Sequence, residues 1–150
     1  MSRQSDARAE EAFTRRFTAQ GTGYFEAGDG EPLVLVHGVG MRLEAWAPQI
    51  EAFSKSHRVI AVDMPGHGKS TPLPRGSELP AFVEWLGSFL DEMSLKRVNL
   101  AGHSMGALVA GGAAAVFPER IKRVALLNGV YRRDPLAKAA VLARAASIEG

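Results

Sequence analysis

The stretch VNLAGHSMGALVAGGAAAVFP, Val98 to Pro118, decides how this chain is read. Val98 to Ala101 has the composition of a short buried strand, and Gly102-His103-Ser104-Met105-Gly106 is a tight turn. Small and apolar residues then run as a helix to Pro118. The pentapeptide fits G-x-S-x-G, in which a serine is raised on a sharp strand-to-helix turn. Ser104 must hold a strained backbone there, and side chains two residues before and after it would collide, so Gly102 and Gly106 are glycine. The helix beginning at Met105 points its free N–H groups and positive dipole end at any anion formed near the serine. A bare G-x-S-x-G arises often by chance. Between an apolar strand and a small-residue helix it predicts a nucleophile.

Outward from this stretch the same alternation repeats. Phe13 to Thr18 and Thr22 to Ala27 read as short strands joined at Gln20-Gly21, a hairpin start. After the turn Gly28-Asp29-Gly30, Leu33 to His37 is an apolar run without alternation, the mark of a strand buried on both faces. Leu43 to Phe53 sets Trp46, Ile50 and Phe53 on one helical face, and Arg58 to Asp63 is a second buried strand. From Leu79 to Met93, the residues Phe82, Trp85, Leu86, Phe89, Leu90 and Met93 recur at helical spacing. Arg123 to Leu127 is a fourth parallel-type strand, and Asp134-Pro135 reads as the cap and first turn of a last helix. The alternation predicts an α/β fold: a doubly wound, mostly parallel sheet with an antiparallel N-terminal hairpin. Residues 1–130 are expected to form the core, and 131–150 the start of a cap or lid helix.

Bulk properties exclude several classes. At 150 residues the chain suits one domain. With no cysteine there is no disulfide framework, thiolate metal site or cysteine nucleophile. The first twenty residues lack the apolar centre of a signal peptide, and no run reaches membrane-spanning length. The expectation is a cytoplasmic protein with no membrane partner. Residues 117–150 carry 7 of the 18 basic side chains and 3 of the 16 acidic ones. Arg120, Lys122, Arg123, Arg132 and Arg133 flank a strand rather than forming one stripe, so this excess reads as a solvated face and not a nucleic-acid site.

Three glycine-rich turns follow the strands and converge on one crevice in such a fold. His37-Gly38-Val39-Gly40 fails as a dinucleotide fingerprint because Leu43 stands where a third small residue is needed, although Asp63 ends the next strand as a ribose-binding acid would. Its better reading presents the Val39 N–H, together with that of Met105, to a developing oxyanion. Gly66-His67-Gly68-Lys69-Ser70 contains GKS but has Asp63 where a phosphate-binding loop needs glycine, so it reads as a tight structural turn. The third turn is the serine turn itself. No metal or cofactor site is expected.

The set HGVG after one strand, DMPGHGKS (residues 63–70) after the next and GHSMG after the third resembles the α/β-hydrolase superfamily. The likeness covers residues 13 to 130 or so, and looks nearest to its small carboxylesterase, lactonase and carbon–carbon hydrolase branch, where HGxG is followed six residues later by tryptophan, here Trp46. The resemblance implies a cofactor-free hydrolase of a small ester-like substrate, with Ser104 as nucleophile, Val39 and Met105 N–H as oxyanion donors, and Gly38, Gly102 and Gly106 as turn glycines. A serine in the elbow argues against the dehalogenase and epoxide-hydrolase branches, which carry aspartate there.

The family triad runs Ser, Asp or Glu, His along the chain. Where some branches place the acid, after the strand that follows the elbow helix, this chain has Asn128. Asp134, the acid of the next loop, is better explained as a helix cap. None of His37, His57, His67 and His103 suits the base by chain position. The chain is therefore expected to be the N-terminal part of a serine hydrolase, with negligible turnover by itself. A second reading keeps the fold and the serine turn without the triad, as a non-catalytic binding or regulatory protein.

Overall fold

The computed structural model describes residues 13–128, within which six strands form one sheet in the order β1-β2-β4-β3-β5-β6. The strands are β1 (Arg16–Phe17), β2 (Gly23–Ala27), β3 (Pro32–Val36), β4 (Arg58–Val62), β5 (Val98–His103) and β6 (Ile121–Leu127). The helices are α1 (Ala47–Phe53), α2 (Leu79–Glu92) and α3 (Met105–Val116). β1 pairs antiparallel with β2, and β2 with β4, while β4, β3, β5 and β6 run parallel. This is the expected α/β sheet with its antiparallel start. The expected last helix, with Asp134, and the cap or lid at 131–150 lie outside the described residues.

Register explains how one apolar run serves two cores. Val34 faces Ile60 on β4 and Leu100 on β5, while Leu35 faces Ala61 and Ala101. Successive side chains point to opposite faces, so Val34, Val36, Ile60, Val62 and Leu100 pack under α2 and α3 with Leu86, Phe89, Val109 and Ala110. Leu35, Val59, Ala61 and Ala101 pack on the other face with Leu43, Trp46 and Ile50. Both faces of the central strands are buried, as their unbroken apolar runs require.

Local details differ from the sequence reading, beyond shifts of one or two residues at several strand and helix ends. The expected helix over 43–53 opens as a 3-10 turn, Leu43–Trp46, and becomes α-helical at Ala47, with Pro48 in its first turn. Phe53, placed on the buried stripe by spacing, is 43% exposed because the face above it is open. β1 is only two residues long, and β6 starts at Ile121 rather than Arg123.

The connections place the serine turn. β3 leads through α1 to β4 on one side, and β5 leads through α3 to β6 on the other. The chain therefore leaves the carboxyl ends of the adjacent strands β3 and β5 in opposite directions, the topological switch point beside which ligands bind in open α/β sheets.

Candidate active site

β5 ends at His103 and α3 starts at Met105, so Ser104 alone makes the turn, with φ 57 and ψ −117. A non-glycine residue at positive φ costs ~1–3 kcal/mol and persists only where its surroundings over-determine it. Here they do. The Ser104 N–H donates to the Leu127 carbonyl at 2.9 Å, and the Ser104 carbonyl accepts the Ala107 N–H at 3.0 Å. The two flanking glycines are required by close approach: a Cβ on Gly102 would overlap the Gly106 carbonyl, and a Cβ on Gly106 would overlap the carbonyls of Val36 and His37 on the neighbouring strand. The backbone is clamped on both sides, and the side chain is left half-buried.

The loop after β3 packs against the serine turn. A Cβ on Gly38 would lie 3.1 Å from the Ser104 Cβ, so any side chain there would press on the serine. Gly40 has φ 76, and the Met41 N–H donates to the Gly38 carbonyl at 3.2 Å, closing a turn in which Gly40 supplies the left-handed residue. His37, 1% exposed, fixes the same carbonyl from the other side: its Nδ1–H donates to Gly38 O at 2.8 Å, and its Nε2 accepts the Met64 N–H at 2.9 Å. Burial pushes the His37 imidazole down to about 4, against the opposing pull of the Gly38 hydrogen bond. Because the peptide is trans, the Val39 N–H points away from the carbonyl so held. Met105 is the first residue of α3, where an N–H has no acceptor within the helix.

Asp63 anchors this loop from below and is fully buried. Its carboxylate accepts the Leu43 N–H at 2.9 Å, the Lys69 N–H at 3.0 Å and the Arg15 Nε–H at 2.6 Å. Arg15 Nη2 also donates to Glu44. Ser70 Oγ donates to the Asp63 carbonyl at 2.7 Å and accepts the Gly23 N–H at 2.8 Å. The residues that looked like a phosphate loop are thus wrapped around their own aspartate, which also has no face left for a ribose. Arg15 and Glu44 were not singled out in the sequence, since nothing local marks an arginine that pairs 48 residues away.

None of the four histidines is hydrogen-bonded to the Ser104 side chain. Both His37 ring nitrogens are engaged as described. His57 lies at the amino end of the sheet, its Nδ1 2.8 Å from Ser56 Oγ, and His67 Nδ1 lies 3.1 Å from the Pro65 carbonyl. His103 has its Nε2 3.1 Å from Asn128 Nδ2, an amide donor that leaves the ring proton on Nδ1. Among the described residues no group of three or more His, Asp or Glu side chains is placed to hold a metal ion, and no helix is long and apolar enough to cross a membrane. A separate groove of about 490 Å³ lies away from the serine, on the α1 face, lined by Leu33, Trp46, Phe53, Val124 and Leu127.

Known proteins resemble this chain in sequence and fold. The (E)-2-((N-methylformamido)methylene)succinate hydrolase of Acinetobacter baylyi is 53% identical over 126 residues, covering 84% of this chain and 48% of that protein. Among solved structures, an E-2-(acetamidomethylene)succinate hydrolase superposes with a TM-score of 0.84 at 25% identity, over 90% of this chain and 52% of that one. The enol-lactonase of Burkholderia xenovorans gives a TM-score of 0.74 at 32% identity, over 87% of this chain and 53% of that one. The chain thus spans about half the length of each of these three proteins. Residues 31–148 match the family described as alpha/beta hydrolase fold, and the chain belongs to that family.

Proposed function

We propose that this chain is the nucleophile-bearing part of a cofactor-free serine hydrolase acting on a small carboxylic acyl compound, an ester, thioester or lactone. The observation that carries the reading is the left-handed Ser104, held between two sterically required glycines and packed closely against Gly38. Ser104 Oγ attacks the acyl carbon, and the N–H groups of Val39 and Met105 receive the oxyanion. The leaving group departs, and water later releases the acyl group from the serine. A strained serine of this kind has no use in a pure binding protein, which favours the enzyme over the regulatory reading. The similar proteins named for amidomethylene succinates extend the acyl class worth testing to amides.

The proton acceptor for Ser104 lies outside the described residues in this proposal, which makes chemical rescue the test. A fluorophosphonate probe should label the 150-residue chain slowly, and added imidazole should accelerate labelling at Ser104. Ser104→Ala should abolish the accelerated component. Equal labelling of the alanine variant refutes the nucleophile, while rapid labelling without imidazole refutes the missing base.

A further inference from the structure

The chain has two asparagines, in opposite settings. Asn99 lies on β5, 7% exposed, with its Nδ2 donating to Glu31 at 3.1 Å, and is followed by Leu100. Asn128 is exposed at the end of β6, has φ 54, and is followed by Gly129. Asparagine tolerates that conformation better than most residues. What holds its carboxamide is one exposed hydrogen bond to His103, a weak restraint.

We propose that Asn128 is a self-modification site, where deamidation installs a carboxylate and switches the tautomer of His103 beside Ser104. Asparagine is a thermolabile residue, and a following glycine, lacking Cβ, obstructs ring closure least. The Gly129 nitrogen loses its proton and bonds to Asn128 Cγ, the Cγ–Nδ2 bond breaks, and ammonia leaves. Water then opens the resulting succinimide at either carbonyl, giving aspartate or isoaspartate. The net change is amide plus water to carboxylate plus ammonium, with no other reactant.

His103 carries the consequence. The amide at position 128 donates to Nε2 and so keeps the ring proton on Nδ1. A carboxylate can only accept, so the bond survives only if Nε2 carries the proton. Nδ1 is the ring atom beside the oxyanion loop: a Cβ on Gly38 would lie 3.3 Å from it. The adjacent Leu127 carbonyl holds the Ser104 N–H, so an isoaspartate, which adds a backbone carbon at position 128, sits next to the anchor of the serine turn. None of this depends on Ser104 being a nucleophile.

The test is to hold the chain in warm, mildly alkaline buffer beside a synthetic peptide spanning Leu127 to Arg132, and to follow both by peptide mass mapping. The expected result is loss of the amide at position 128, as mixed aspartate and isoaspartate, with none at Asn99 and none at position 128 in Asn128→Gln. An intact Asn128 while the free peptide converts overturns the proposal. Ring nitrogen-15 shifts then read the switch, in the aged protein and independently in Asn128→Asp. His103 should be protonated on Nδ1 in fresh protein and on Nε2 in both altered forms, and an unchanged tautomer overturns the link to the site.

Discussion

β3 and β6 are both parallel strands with apolar stretches, PLVLV and IKRVALL, yet they fare differently in the fold. In β3 the residues Val34, Leu35 and Val36 are at most 1% exposed. In β6 only Ile121 is buried, while Val124, Leu126 and Leu127 are 40%, 52% and 44% exposed. β3 pairs with β4 and β5 and is covered on both faces, whereas among the described residues β6 pairs with β5 alone. An apolar run therefore predicts a strand, but burial is set by partners on both edges and layers on both faces. The catalytic candidates follow the same division. The loop after β3 and the turn after β5 rise from the buried centre, where a strained serine can be held in place.

Matched leucines test this contrast most directly. Leu35→Ala should cost about 2–5 kcal/mol, because a large side chain leaves a cavity in a core that cannot fully relax. The adjoining groove, which Leu35 helps to line, gives that site some room to adjust and places the expected loss toward the lower end. Urea unfolding with an unchanged slope measures it. A loss below about 1 kcal/mol would mean that the α1 face is not closed over β3.

How much of this was legible in the sequence depends on the range of the interactions involved. β3, β4 and β5 were readable because continuous burial leaves a continuous apolar run, and the serine turn was readable because Gly102 and Gly106 are forced by contacts within the motif and its neighbouring strand. The Arg15–Asp63–Glu44 cluster was not readable: Arg15 gives no local sign of partners 29 and 48 residues away. Asp63 itself was noticed only through a ribose-binding reading that was set aside and as part of a structural turn, since its four donors are assembled only by folding. The exposure of Phe53 and of most of β6 was hidden for the converse reason. Periodicity reports which face a side chain takes, and says nothing of whether another layer covers it. Asn128 was considered only for the carboxylate it lacks, and its bond to His103 depends on the parallel register of β5 and β6.

The second expected effect comes from His37, at the carboxyl end of β3. Its folded value of about 4 lies below the ordinary 6.5, chiefly through burial, so the unfolded chain binds this proton more readily. Stability should therefore fall as pH drops below 6.5, continue falling to about 4, and gain no further loss from this group below that. At pH 5 the loss amounts to about 2 kcal/mol. Glu31 is pulled down to about 2 by hydrogen bonds from Lys122 and Asn99, and its stabilising contribution is lost only below its ordinary 4.5, so above that pH the His37 window stands clear of it. Urea midpoints between pH 6.5 and 5 should slope for the parent chain and lose that component in His37→Gln. Parallel slopes would show that the carboxyl end of β3 is wetter than its burial implies.

The smallest effect belongs to β6. Leu126→Ala removes a side chain that is already half in water, so its cost should stay within about 0.5 kcal/mol, against several for the same substitution at Leu35. The consequence for association should be larger than that for folding. β6 is the terminal strand of the described sheet, and it offers unpaired backbone groups beside exposed apolar side chains, the combination that recruits another copy. Light scattering should find concentration-dependent association in the parent chain and less of it in Leu126→Ala. A clean monomer in both would show that the edge is already blunted, with the charges of Lys122 and Arg123 on the same strand the first candidates. A stability loss matching that of Leu35→Ala would instead erase the distinction between the two strands.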